Sequence, residues 1–496
     1  MQPAQIGQEG ATERAATLFA ALWALAALFH LLAQPGPLAE LGDPSAPHGP
    51  FAAPLQTATV GVAALLLLLR PDSLPRLLLL ATLQLVKAVW LMPAIANHRT
   101  IEAFCNLALL LVAAELCLAR RPLSVGTLLA RAAPALRWVI LLAYGFAAFS
   151  KLNRDFLDPE VSCAADFSAQ MLGGLGLEAP AALGPVLSGA AILGTVAIGL
   201  AVPLRLLWRP ALVACLCLAL LFHFVLVVDP LAITYDFSSA LYALFLLFLP
   251  GVWIAGLRPL VGFVDDERTA QRRRRWLAAT IAVLLVGAAT PAFAPLAVLH
   301  LSGRKLLWLL YAVVFLSSVA LLVRRRGLRL PGGGEGAPFA RGAANGRLPA
   351  ATWPVLALVA LNGMAPYLGL KTGTSFTMYS NLRTEQGTSN HLLVRRTAEL
   401  LPHAGDLIAP LASNDPTLNQ WAVEELLVSR LELRRTVQLL PGVEEASLRW
   451  READGTVHRT ERIADHPELG APLPLWQRKL QLHRPVDAEG PMRCRW

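Results

Sequence analysis

Long apolar runs separated by short polar segments fill most of the chain up to about residue 370. Eleven of these runs approach or reach the roughly 20 residues that an α-helix needs to cross a bilayer. They fall at about 15–33, 55–69, 77–96, 103–119, 135–150, 181–201, 210–228, 233–250, 276–300, 305–323 and 350–368. The pattern predicts an all-α polytopic membrane helix bundle of about eleven spans, residues 1–323 forming its main body. Small residues four apart in the sixth run (Ala190 and Gly194, Thr195 and Gly199) predict close helix packing. Pro291 and Pro295 interrupt the ninth run and predict a kink or a broken helix.

The pattern changes twice. Residues 324–349 open with an arginine cluster and continue as "PGGGEGAPFARGAANGRLP", a composition expected of a flexible linker. Its glycine triplet lacks the Lys-Ser/Thr ending of a phosphate-binding loop. Residues 350–390 then carry the last run and a polar motif. Residues 391–496 predict a small α+β region, with an amphipathic helix across "DPTLNQWAVEELLVSRLELRRTVQLL" capped by Asp415 and a hairpin turning at Asp454-Gly455.

Composition supports this reading. The chain has 496 residues, 55% hydrophobic and 16% charged, against about a quarter charged in a soluble protein. The net charge of +9 sits in short loops, as topology signals do, so nucleic acid is not an expected partner. One alternating set of loops holds Arg70, Arg76, Arg120, Arg121, Arg131, Arg205, Arg209, Arg258, Arg268, residues 272–275 and 324–326, Arg329, Arg341 and Arg347. The other holds few cations: Arg99, Lys151, Arg154, Arg304 and Lys305. The positive-inside rule makes the first set cytoplasmic, with a cytoplasmic N-terminus and an external C-terminal region. No cleavage-site pattern follows the first run, so no removable leader is expected. The Ala-, Leu- and Arg-rich usage points to a bacterial cytoplasmic membrane.

Charged or titratable groups at membrane depth are costly and mark candidate sites. Lys87 and Glu115 lie inside runs. At the external ends stand His98, then Lys151, Asn153 and Asp155, then His223 and Asp229, Tyr235 and Asp236, and finally Asn381, Arg383, Glu385 and His391. Lys151 reads either as a snorkelling anchor or as an amine whose desolvation lowers its pKa into the range of a general base. Asp155, four residues on, opposes that shift if the helix continues. His223 reads as a packed imidazole or a proton carrier. Arg383 and Glu385 read as an exposed ion pair or as a grip on an anionic group. Cys163 and Cys494 lie outside the runs and are candidates for an external disulfide; the remaining cysteines read as packing, and no metal pattern is present.

Three stretches, "FAAFSKLNRDFL", "LFHFVLVVDPLAITYDFSSALYALFLLFLP" and "PYLGLKTGTSFTMYSNLRTE", resemble the vitamin K-dependent γ-carboxylase-like superfamily and its bacterial branch, the horizontally transferred transmembrane (HTTM) domain. The likeness covers about residues 15–390. It implies that Lys151 is the base that deprotonates a vitamin K-like quinol, with His223 and His98 as site histidines. In the carboxylases oxygen then turns the quinol into a stronger base that removes a γ-proton from glutamate, and the carbanion takes up carbon dioxide. This chain departs from that pattern in Ser150, where the animal enzymes have a second lysine, and in its small external region.

The resulting expectation is quinol-linked, carboxylase-like chemistry on a peptide or small molecule. Lys151 and His223 are catalytic, and His98, Asn153, Asp155, Tyr235, Asp236, Asn381, Arg383 and Glu385 bind substrate. The rival expectation is a non-catalytic membrane protein that binds lipid or quinone, or assembles with a partner. A transporter ranks third, since no ATP motif and no clear repeat of broken helices is present.

Overall fold

The computed structural model describes residues 3–33, 52–177, 180, 183–206, 209–228, 234–264, 267–289, 297–328, 348–401, 405–440 and 442–495. Each of the eleven predicted runs overlaps a helix over its described residues, and residues 290–296 of the ninth lie outside them. In chain order these are α1 (Pro3–Ala33), α2 (Ala52–Leu69), α3 (Leu74–Leu91), α4 (Asn97–Leu118), α5 (Val125–Phe149), two short helices α6 (Arg154–Leu157) and α7 (Cys163–Gly174), then α8 (Gly184–Leu206), α9 (Leu212–Val228) and α10 (Tyr235–Leu246). Two single turns, α11 (Gly251–Ile254) and α12 (Arg258–Val261), lead into α13 (Glu267–Ala289), α14 (Ala297–Arg326) and α15 (Trp353–Met364). Among the described residues six helices are long and apolar enough to cross a membrane: those of α1, α3, α4, α5, α8 and α14. Asp229, Pro291, Pro295 and most of the predicted linker lie outside the described residues.

The runs at 210–228, 233–250 and 350–368 form shorter helices than predicted. α10 has 12 residues because the chain turns at Leu247–Leu249 ahead of Pro250, and α15 has 12 because Pro366 and Gly369 follow it. The starts are set by local chemistry. Pro75 opens α3 at a position where no backbone donor is lost. Ser124 caps α5, accepting from Thr127 N while its own N–H donates to Thr127 Oγ1.

Helix α1 is the hub. It packs against α2, α5, α10 and α13, and 94% of its apolar window is buried, against 11% for that of α8. Helix α8 therefore presents its leucines and valines outward, as do parts of α3, α9 and α14. Exposed apolar faces on long apolar helices suggest contact with a lipid bilayer. The small-residue spacing in α8 is used at one place: a Cβ on Gly199 would meet Ala148 Cβ of α5 at 3.3 Å, whereas nothing lies within 4 Å of one on Gly194.

The C-terminal region is a five-stranded antiparallel sheet in the order β4-β3-β1-β2-β5. Its strands are β1 (Leu407–Ser413), β2 (Leu426–Ser429), β3 (Leu448–Arg451), β4 (Val457–Thr460) and β5 (Val486–Asp487), with helices α16 (Pro416–Val423), α17 (Arg430–Leu439) and α18 (Leu475–Leu480). The predicted hairpin is present as β3–β4, with Gly455 at φ 89° in the turn. The predicted single helix from Asp415 is corrected. Asp415 does cap α16, but Glu425 adopts φ 55°, Leu426–Ser429 pair as a strand with β1, and Ser429 caps a second helix. Strand pairing on both sides, with β1 and β5, outweighs helical spacing there. The Cys163–Cys494 disulfide forms across 331 residues and ties this region to the bundle.

Candidate functional site

The predicted site residues converge at one end of the bundle, in two groups built by different elements. The first is the lysine site. Helix α5 ends at Phe149, and Asn153 adopts extended angles and caps α6 through its side-chain Oδ1, which accepts from Phe156 N at 2.8 Å. The intervening turn folds Lys151 back: its Nζ donates to Ala147 O at 3.2 Å and to Met378 O at 2.8 Å. Nζ also lies 5.8 Å from the centre of the Phe156 ring. Lys151 is buried, and among the described residues no carboxylate forms an ion pair with it. Burial pushes its amine down to about 7.

The segment that supplies Met378 is the polar motif after α15. It is tied in from all sides. Phe376 N donates to Asn97 Oδ1 at 2.7 Å, Asn153 Nδ2 to Ser380 O at 2.5 Å, and Asn381 Nδ2 to Val161 O and Met492 O. Thr374, Phe376, Tyr379 and Asn381 all have φ between 50° and 59°, a left-handed path held by these contacts. His391 packs on Phe149 with ring centres 4.3 Å apart, and its Nε2 meets Phe149 O at 2.8 Å.

Three expectations change here. Asp155 does not oppose the lysine, because the break at residues 150–153 turns it away; its Oδ2 accepts from Asn390 Nδ2 and Met492 N, each at 2.8 Å. Asn153 and Asn381 bond mainly to backbone groups, which ties the motif to its neighbours. Arg383 and Glu385 do not form an exposed ion pair: Arg383 donates to Asp487 O at 3.1 Å, and Glu385 is buried with Oε2 accepting from Thr384 N. Burial raises the Glu385 carboxyl, with Arg484 opposing that shift.

The second group lies where α1, α4 and α10 meet. His30 Nδ1 contacts Asp236 Oδ2 at 3.0 Å and His30 Nε2 contacts Glu102 Oε1 at 2.5 Å. His98 Nε2 reaches the same Asp236 Oδ2 at 3.0 Å. The two imidazoles stack, 5.0 Å apart at 14°. Asp236 Oδ1 accepts from Phe237 N at 2.7 Å in the first turn of α10, which fixes the carboxylate plane. One ligand atom from each of His30, His98 and Asp236 lies within 4.8 Å of the others, so these three residues could hold a metal ion. Tyr235 packs its ring against Phe29, 6.2 Å away.

Aromatic contacts connect this group towards α5. His98 meets the Phe237 ring at 5.5 Å, His223 meets the same ring at 5.1 Å, and His223 Nε2 bonds Tyr144 Oη. Tyr144 stands seven residues before Lys151. Among the described residues His223 Nδ1 is buried with no hydrogen-bond partner. His223 is thus a buried member of the same end of the bundle and makes no contact with Lys151.

Sequence reasoning missed His30 and Glu102. His30 lies inside an apolar run, where a histidine is as unusual as a charge, and Glu102 sits one residue before the assigned start of the fourth run. It also left Lys87 and Glu115 without partners. Lys87 Nζ donates to Thr57 Oγ1 at 2.9 Å, and Glu115 pairs with Arg131 at 2.9 Å and accepts from Ala351 N. A comparison with known proteins finds no matching family model, curated protein or solved structure.

Proposed function

We propose that the chain is a multi-pass membrane protein that binds a lipid-soluble quinol at its external face and uses Lys151 as a general base in carboxylase-like chemistry. The observation that carries this reading is the environment of Lys151: a buried amine bonded to two carbonyls, not to a carboxylate, and lowered to about 7. An amine in that state is partly neutral near pH 7 and can accept a proton. The resemblance of "FAAFSKLNRDFL" to the lysine motif of the carboxylase-like superfamily supports the same role.

The surroundings suit a flat apolar molecule with a hydroxyl. Phe156 faces Lys151, and Phe149, Phe167 and Tyr379 belong to the segments that frame it. A bound quinol would supply oxygen-activating chemistry. Lys151 Nζ would take the proton from its hydroxyl, Met378 O and Ala147 O would orient the amine, and the segment 371–391 would exclude water. Loop charge and the disulfide both support an external position, since disulfides persist in oxidising compartments.

The reading requires a titrating lysine. NMR of ¹³C-labelled lysine in nanodiscs, with Lys151→Arg used to assign the signal, is expected to give a midpoint near 7. A midpoint near the ordinary lysine value of about 10.4 would remove the base from the site.

A further inference from the structure

We propose that His30, His98 and Asp236 form a binding site for a divalent first-row transition ion of the zinc class, with Glu102 as the group that holds His30. This inference does not rest on the quinol reading. It rests on donor identity, geometry and enclosure.

Two imidazoles and one carboxylate are a donor set for zinc or for ferrous iron, and three protein ligands leave a position for water or substrate. Two ligands each about 2.1 Å from one ion lie at most about 4.2 Å apart. The contacts of His30 Nδ1 and His98 Nε2 with Asp236 Oδ2 are both 3.0 Å, inside that limit. All three ligand atoms lie within 4.8 Å of one another, so the widest pair must close by at most about 1.4 Å to reach the roughly 3.4 Å ligand spacing of a tetrahedral ion.

The surrounding contacts are those of an outer shell. Glu102 meets His30 at Nε2, the nitrogen opposite the one that faces Asp236. A carboxylate there fixes the tautomer that leaves Nδ1 free to ligate. Phe237 N holds the second oxygen of Asp236 and leaves Oδ2 for the ion. Charge also balances. A divalent ion at Nδ1 would set two positive charges against the two carboxylates Asp236 and Glu102. His30, Glu102 and Asp236 are all buried, where such compensation counts most. A cavity of about 40 Å³ touches His30 and Glu102 and is also lined by Gln84, Lys87, Arg99 and Asn106. It is large enough for a water molecule beside the Glu102–His30 pair, and His98 and Asp236 do not line it.

The test uses the full chain without a histidine tag, stripped by chelator in nanodiscs and titrated with Co²⁺ and then Zn²⁺. One ion per chain by mass spectrometry is expected, with a visible Co²⁺ absorption band that Zn²⁺ displaces. Asp236→Asn should abolish the band, and Glu102→Gln should weaken binding about 10–100-fold. X-ray absorption at the zinc edge of the wild type should show two imidazoles, oxygen and no sulfur, a result that needs no variant to fold. No stoichiometric ion in the wild type, sulfur ligation, or full retention of binding in folded Asp236→Asn would overturn the site. Lys151→Ala should bind the ion as the wild type does, so failure of the quinol reading and failure of this one are separable.

Discussion

Lys151 turns on one physical contrast. An ammonium beside a carboxylate keeps its proton, whereas a buried amine bonded to carbonyls loses it more easily. The break after Phe149 decides between these outcomes by sending Asp155 to Asn390 and Met492 N. The consequence for stability has a definite sign. Because the native pKa is about 7 and the unfolded value about 10.4, the native state binds fewer protons between those values. Stability from this group therefore rises with pH across that window, and below about 7 the full cost of a buried charge applies. Each pH unit across the window is worth about 1.4 kcal/mol. Thermal unfolding of Lys151→Met and wild type at pH 6 and pH 9 checks this: the variant should gain most over the wild type at pH 6, with a smaller gap at pH 9. A gap independent of pH would contradict the assignment.

The helices position this lysine through close approaches that leave no room for side chains. Helix α15 crosses α5 at Gly363, where an added Cβ would lie 2.2 Å from the Phe146 ring. Phe146 is one turn before the end of α5, and α15 leads into the segment that supplies Met378 O. Gly363→Ala should cost about 1–3 kcal/mol through overpacking, read as a lower unfolding temperature in detergent, while Gly194→Ala in α8, where nothing lies within 4 Å, should be close to neutral. Equal losses at both would contradict this packing. Element existence was legible in the sequence because hydropathy alone locates apolar helices. Partner choice was not. Nothing local in "ALFHLL" announces that His30 meets Glu102, 72 residues on, and Asp236, 206 residues on. The strand at Leu426–Ser429 was equally hidden, since its helical spacing is overridden only by pairing with β1 and β5.

At the scale of the molecule, the polar groups of the site lie on buried helix faces, and the outward-facing α8 carries none of them. Helices α1 and α10 hold His30 and Asp236 and are buried along their lengths, whereas α8 faces outward with apolar side chains. That partition is what a bilayer demands of ionisable residues. The small sheet region closes the same end through the Cys163–Cys494 bond and the contacts of Met492 and Leu482 with the polar motif. The sequence marked these cysteines as candidates, but a pairing across 331 residues becomes definite only in three dimensions. The account as a whole stands on Lys151 acting as a base towards a quinol. Its most direct test is oxygen-dependent turnover of a vitamin K-type quinol by the purified chain in nanodiscs, wild type against Lys151→Ala. The account predicts wild-type turnover reduced about 10²–10⁴-fold in the variant; equal turnover in both, or none in the wild type with any naphthoquinol supplied, would contradict it.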